Sequence, residues 1–183
     1  MTIKDLENNI TQDVAIELHE AFDRNFERRA FFDEAWIEPK LANSRGSVMN
    51  RSGNLRRSIR YSVQANQILF SSSLPYASIH NSGGEIEVTQ KMKSFFWAMY
   101  YKAAGAILFN VKSKGMAKTK KNVRLSKEAE QWKALALMKI GHKIKIEKRQ
   151  IIGEHPQVTK IVKDVIDEHM QLFNQEYIKK FKR

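Results

Sequence analysis

The stretch LPYASIHNSGG, residues 74–84, decides how the chain around it is read. Pro75 carries a fixed φ and no N–H, which suits the first turn of a helix. Gly83 and Gly84 offer the positive φ that closes one. Tyr76, Ala77, Ile79 and His80 between them leave room for a short helix only, with His80 one turn beyond Tyr76 on the same face.

On the N-terminal side stands NRSGNLRRSIRY, residues 50–61. Ser52-Gly53 is a turn signal, and Leu55 and Ile59 at helical spacing predict a helix over 54–59. Tyr61-Ser62-Val63 and Gln67-Ile68-Leu69-Phe70 read as two strands joined at Ala65-Asn66 in a tight hairpin. On the C-terminal side, residues 85–88 read as a third strand. Thr89 is placed to cap a helix over 90–104, with Met92, Phe95, Phe96, Met99 and Tyr100 as its apolar face.

Further outward, Ile3, Leu6, Ile10, Val14, Leu18, Phe22 and Phe26 form one stripe and predict a helix over 4–28. Pro39 and the cluster at residues 43–47 mark a loop. Residues 112–124 hold six bases and no acid among Gly, Ser and Thr, which predicts a loop without fixed structure. Ser126 is expected to start a further helix that stops at Gly141. Lys143-Ile144-Lys145-Ile146 alternates as a strand does, and Pro156 starts a long helix over 157–181 striped by Val158, Ile161, Val162, Val165, His169, Leu172, Phe173 and Phe181. The fold class is α+β. A small antiparallel sheet is packed by long N- and C-terminal helices in a single domain, residues 1–183, and residues 89–142 form a helical and basic-loop insertion between strands.

With 183 residues, 42% apolar content and a mean hydropathy of −0.51, the chain has enough material for a core. No apolar run approaches the roughly 20 residues of a membrane span. The N-terminus lacks a charged-then-apolar signal pattern, so the expectation is an intracellular product without a membrane partner. The absence of cysteine excludes disulfides, thiol catalysis and thiolate metal sites. Charge is uneven: net −6 over residues 1–38, +14 over 39–127 and +4 over 128–183, for +12 in all. A basic middle fits either an anionic partner or a solvated loop. Arg51, Arg56, Arg57 and Arg60 are one basic group, with Arg56 and Arg60 expected outward on one helix face. Lys112, Lys114, Lys118, Lys120, Lys121 and Arg124 are the other. Both are candidate interface residues for phosphate or a partner's carboxylates.

Catalytic signals are absent. The five histidines (His19, His80, His142, His155, His169) show no i, i+4 pair and no HExxH, and neither a phosphate-binding glycine loop nor a nucleophile elbow occurs. His80 has no carboxylate or nucleophile beside it in sequence and reads as a buried structural imidazole. Glu85 and Glu87 on one strand face are the only carboxylates in the middle region that a metal-dependent hydrolase or nuclease could use. The expectation is no enzyme, no catalytic residue, no cofactor and no metal.

Three segments in order carry a resemblance: Ser52-Gly53-x-Leu55-x-x-Ser58-Ile59, then Pro75-Tyr76-Ala77-x-Ile79-His80-x-x-Gly83-Gly84, then Ile146-Glu147-Lys148-Arg149-Gln150-Ile151-Ile152-Gly153 before the last helix. The chain resembles the phage virion morphogenesis family, the tail-completion proteins of the Mu G type. Arg149 and Gly153 match its third segment, while Glu147 replaces the usual proline and Ile151 the usual phenylalanine. The resemblance implies a small head–tail connection protein of the neck, part of the virion, assembled in the bacterial host cytoplasm. The implied partners are other tail or neck proteins and further copies of itself in a homo-oligomeric ring, with DNA contact secondary. Pro75 to Gly84 would then be a shape element without catalytic duty. The alternative is a basic nucleic-acid-binding accessory protein of a mobile element.

Overall fold

The computed structural model describes residues 2–39, 47–65, 67–110 and 115–181. In chain order the elements are α1 (Ile3–Arg28), β1 (Ala30–Phe31), β2 (Glu34–Ala35), α2 (Asn54–Ser58), β3 (Ile59–Gln64), β4 (Gln67–Ser72), α3 (Ala77–Ser82), β5 (Gly84–Glu87), α4 (Gln90–Gly105), β6 (Phe109–Asn110), β7 (Gly115–Met116), α5 (Lys120–Ala136), β8 (Lys143–Ile146) and α6 (Pro156–Phe181). The class is α+β, with long helices at both ends. Strand pairing among the described residues is divided into antiparallel two-stranded ribbons, β1-β2, β3-β4, β5-β8 and β6-β7, rather than gathered in one sheet. The chain packs as two compact units.

The first unit takes the described residues up to Glu38, from Ser47 to Gly83, and from Glu147 onward. Its α1 starts with a capping box: Asp5 N–H donates to Thr2 Oγ1 (3.2 Å) and Thr2 N–H to the Asp5 carboxylate (2.8 Å). These bonds, the backbone one foremost, hold the Asp5 carboxyl below its ordinary range. The expected stripe is present, and Leu6, Val14, Leu18, Phe22 and Phe26 are buried. Ile3, the first residue of the helix, is exposed. Arg29 ends α1 in the left-handed conformation, and the β1-β2 ribbon follows at once, with Phe32 also at positive φ and its N–H held by Asn25 Oδ1 at 3.0 Å.

Two cores meet this helix. Phe26 packs with Trp36, Val48, Leu55, Ile59, Ala77 and Ile151. Val14, Leu18, Phe22 and Phe31 pack against Val158, Ile161, Val162 and Val165 of α6. Burying each large apolar side chain contributes about 2–3 kcal/mol. The β3-β4 hairpin has its predicted two-residue connection, Gln64 pairing with Gln67, and extends further than expected in both directions. Its Asn66 and residues 43–46 of the predicted turn cluster lie outside the described residues. Pro156 takes the first position of α6, as predicted, and Gln157 N–H donates to His155 Nδ1 at 3.1 Å.

The second unit is built on Gly84–Ile146. Gly84 opposes Ile146 and Glu87 opposes Lys143 in the β5-β8 ribbon. Phe96, Leu135 and Ala136 form the core where α4 meets α5, flanked by Trp97, Trp132 and Ile144. Thr89 caps α4 as predicted. The basic stretch differs from expectation. Helix α5 begins at Lys120, not Ser126, because Thr119 accepts the Asn122 N–H (3.1 Å) and the fully buried Asn122 ties down the preceding chain. The Asn122 amide donates to Leu108 O (2.7 Å) and Ala117 O (2.8 Å) and accepts the Leu108 N–H (3.1 Å). Lys120, Lys121 and Arg124 therefore stand on a helix and Lys118 just before its cap, while Lys112 and Lys114 lie outside the described residues. Helix α5 also ends earlier than predicted, at Ala136. Gly141, at φ 82°, shapes the turn before β8 instead.

Candidate functional site

Apart from Gly84 and Ile146, which pair in the β5-β8 ribbon of the second unit, the three motif segments lie in the first unit. Leu55 and Ile59 of the first, Ala77 of the second and Ile151 of the third share one core. Ser58, buried on α2, donates to Leu55 O (2.7 Å) and shares a hydrogen bond with Ser72 Oγ (2.7 Å), whose oxygen also accepts the Leu74 N–H (3.2 Å). The chain then turns through Pro75, with Ala77 N–H bonded to Leu74 O at 3.0 Å. Pro75 sits just ahead of the Tyr76 cap rather than in the first turn of α3, a small correction. Gly83 ends α3 at φ 72° as predicted, and Gly84 opens β5.

Helix α3 is laced to the third segment by side chains the motif alone does not explain. Asn81 Oδ1 accepts the N–H groups of both Ile151 (2.7 Å) and Ile152 (2.9 Å). Arg149, 8% exposed, donates its N–H to His80 O (2.8 Å) and its Nε–H to Ile37 O (2.8 Å), while Trp36 Nε1 donates to Gln150 O (2.8 Å). Gly153 has φ 144°, and a Cβ there would come within 2.6 Å of the Gln150 amide nitrogen, so only glycine fits without a shift. Asn81 was invisible to pattern reading. It is one of several polar residues in the Pro75–Gly84 stretch, with Ser78, His80 and Ser82, and nothing in the spacing singles it out.

His80 is half-buried rather than buried as predicted, with Tyr76 edge-on at 6.1 Å between ring centroids. Its Nδ1 has no hydrogen-bond partner among the described residues. Burial first, and the Arg149 charge second, push its pKa below the ordinary histidine value, favouring the neutral ring. Phe70, Leu74, Pro75, Ala77, Asn81 and Ile151 wall a groove of about 490 Å³ that His80 does not line. The groove lining holds no carboxylate to orient a base.

The arginines divide. Arg56, expected to face outward, clasps Asp23 through two hydrogen bonds and Glu27 through a third (2.8 Å), joining α2 to α1. The Arg56 guanidinium holds the Asp23 carboxyl below its ordinary range, and the same bonds raise the arginine. Arg57 turns back on its own segment, donating to Ser52 O (2.9 Å) and Asn54 Oδ1 (3.0 Å). Gly53, at φ 73°, leaves it room: a Cβ would stand 2.8 Å from Arg57 Nη1. Because α2 ends at Ser58, Arg60 lies on β3 and not on a face shared with Arg56. It is exposed, as is Arg51. Glu85 pairs with Lys143 (3.1 Å) across the β5-β8 ribbon, and Glu87 also stands opposite Lys143 in the register. Among the described residues no three His, Asp or Glu side chains gather as metal ligands, and no helix is long and apolar enough to cross a membrane.

The site is thus a set of structural locks: polar side chains bind backbone groups of distant segments, and the half-buried imidazole has no reacting partner among the described residues. No curated protein and no solved structure matches the chain. Compared with protein families, it matches the phage virion morphogenesis family over residues 5–171, a span containing all three motif segments and nearly the whole sequence. The chain belongs to the phage virion morphogenesis family.

Proposed function

We propose that the protein is a structural tail-completion subunit, which finishes the phage tail and joins it to the head through protein–protein contacts in a neck ring. What carries this reading is family membership across both long helices and the whole lock. Supporting it, Asn81, Arg149, Ser58 and Arg56 spend their hydrogen bonds on fixing shape. A subunit that must present a rigid surface to neighbours needs such fixing. A catalyst needs instead a reactive group held beside an acid or base. The other virion proteins of the neck are the partners, and further copies of the chain complete the ring.

The test is deletion of the gene in an inducible lysogen and electron microscopy of the lysate. Filled heads apart from tails, or tails with malformed ends, are the expected result. Normal joined virions would overturn the reading, and duplex-DNA binding over a salt series would then be measured, since phosphate contacts weaken steeply with salt.

A further inference from the structure

Helices α1 and α6 run antiparallel. His155, just before α6, stacks on Phe32, just after α1, whereas His169, midway along α6, bonds Asp13, midway along α1 (2.8 Å). Between the helices lies an open groove of about 390 Å³. Ile16, Ile161, Val165 and Leu172 give it an apolar floor, and Glu17, Asp164 and Glu168 stand exposed along it. No lysine or arginine lines it. An apolar floor with a rim of one charge sign fits an amphipathic helix of the opposite sign.

The same chain carries one. On α5, Val123 and Arg124 each stand three or four residues from both Lys120 and Lys127, so the four share one face, all exposed, with Val123 51% exposed among the charges. Asn122 and Ala129 mark the buried side of that helix. No acid stands in its first turn. Cations there oppose the helix dipole, so an anionic surface brought up to this end of α5 would be favourable.

We propose that the acid-rimmed groove between α1 and α6 of one copy receives the basic face of α5 from a second copy. Val123 seats on the apolar floor, and Lys120 and Lys127 meet Glu17, Asp164 and Glu168. Each copy then offers two different surfaces, a heterologous contact of the kind from which rings and filaments are built. The inference deepens the assembly reading and rests on it for its biological setting.

The natural lack of cysteine makes the test direct. Purified Glu168→Cys and Lys127→Cys chains are mixed at high concentration and oxidised, with Ser73→Cys replacing Glu168→Cys as the control. A disulfide-linked dimer from the first mixture and not from the control is expected. In sedimentation, Glu17→Lys/Asp164→Lys and Lys120→Glu/Lys127→Glu should each weaken self-association by about tenfold or more, and the chain carrying all four changes should recover it. Circular dichroism checks that every variant is folded. No dimer in the first mixture, reversed variants that associate like the parent, or a Glu168→Cys/Lys127→Cys chain that closes on itself would each overturn the proposal. The deletion experiment fails separately. Intact virions with a crosslinked dimer would remove the tail-completion reading and keep this contact, and malformed tails without a dimer would do the reverse.

Discussion

Helices α1 and α6 are each 26 residues long and both are striped with apolar residues, yet α1 buries eight residues and none of the described α6 side chains is fully buried. Composition does not account for this, since α6 carries Val158, Ile161, Val165, Ile166, Met170 and Leu172. The difference lies in how many elements each helix meets. Helix α1 touches both cores, the β3-β4 hairpin, the β1-β2 ribbon and α6. Helix α6 rests on one side only. An amphipathic pattern therefore guarantees a helix, but the depth of burial depends on what the rest of the chain brings to it.

The largest expected effect tests that contrast directly. Phe22 is 2% exposed, with Phe70 edge-on at 5.1 Å and Phe31 stacked at 6.1 Å. Phe22→Ala should cost about 3–5 kcal/mol in urea unfolding. Met170→Ala, at a position 42% exposed on α6, should stay within about 0.5 kcal/mol at a protein concentration low enough to keep the chain monomeric. Comparable losses at the two positions would break the comparison. Native-state hydrogen exchange sharpens it: α1 amides around Phe22 should approach the global unfolding free energy, while those beyond Met170 should exchange by local opening.

Helix α6 is nevertheless anchored where it starts. Asn81→Ala would leave the Ile151 and Ile152 N–H groups, both just upstream of α6, without their acceptor. The expected cost is about 2 kcal/mol, and the isosteric Asn81→Asp should recover part of it because a carboxylate accepts the same two bonds. An unchanged unfolding midpoint in Asn81→Ala would mean that Ile151 packing alone holds this segment.

Much of this was readable beforehand because it is local. The stripe Val14, Leu18, Phe22, the caps at Thr89 and Pro156, the hairpin around residues 65–66 and the glycine stop at Gly83 all follow from spacing or backbone freedom. The residues of the three motifs were legible through family resemblance. What escaped depends on contacts remote in sequence. Asn81 binds backbone groups 70 and 71 residues away, and Arg56 finds Asp23 33 residues back, so neither leaves a periodic trace. The early start of α5 was hidden by its lysines, which read as solvated loop until Asn122 is seen fully buried. The β1-β2 ribbon is two residues per strand and turns on Phe32 at positive φ, a conformation no residue preference announces for phenylalanine.

The smallest expected effect compares two charged ties of α1. Arg56 binds Asp23 and Glu27 on one side, and His169 binds Asp13 on the other. Asp23 has a depressed folded-state pKa, so the unfolded chain takes up its proton first as pH falls. Its stabilising contribution is complete above the ordinary carboxylate value near 4 and is lost as pH drops through the lower folded value. Asp23→Asn should therefore be less stable than the parent by about 1 kcal/mol at pH 7, a modest figure because the pair is partly exposed and solvent screens it. The gap between the two urea midpoints should hold from neutral pH to about pH 5 and close in more acidic buffer. Asp13→Asn removes a single bond to an exposed carboxylate and should cost about half as much at pH 7. If Asp13 instead proved the costlier loss, α6 would be held as firmly as α2, and its half-exposed apolar residues would no longer mark it as the helix with a side left open.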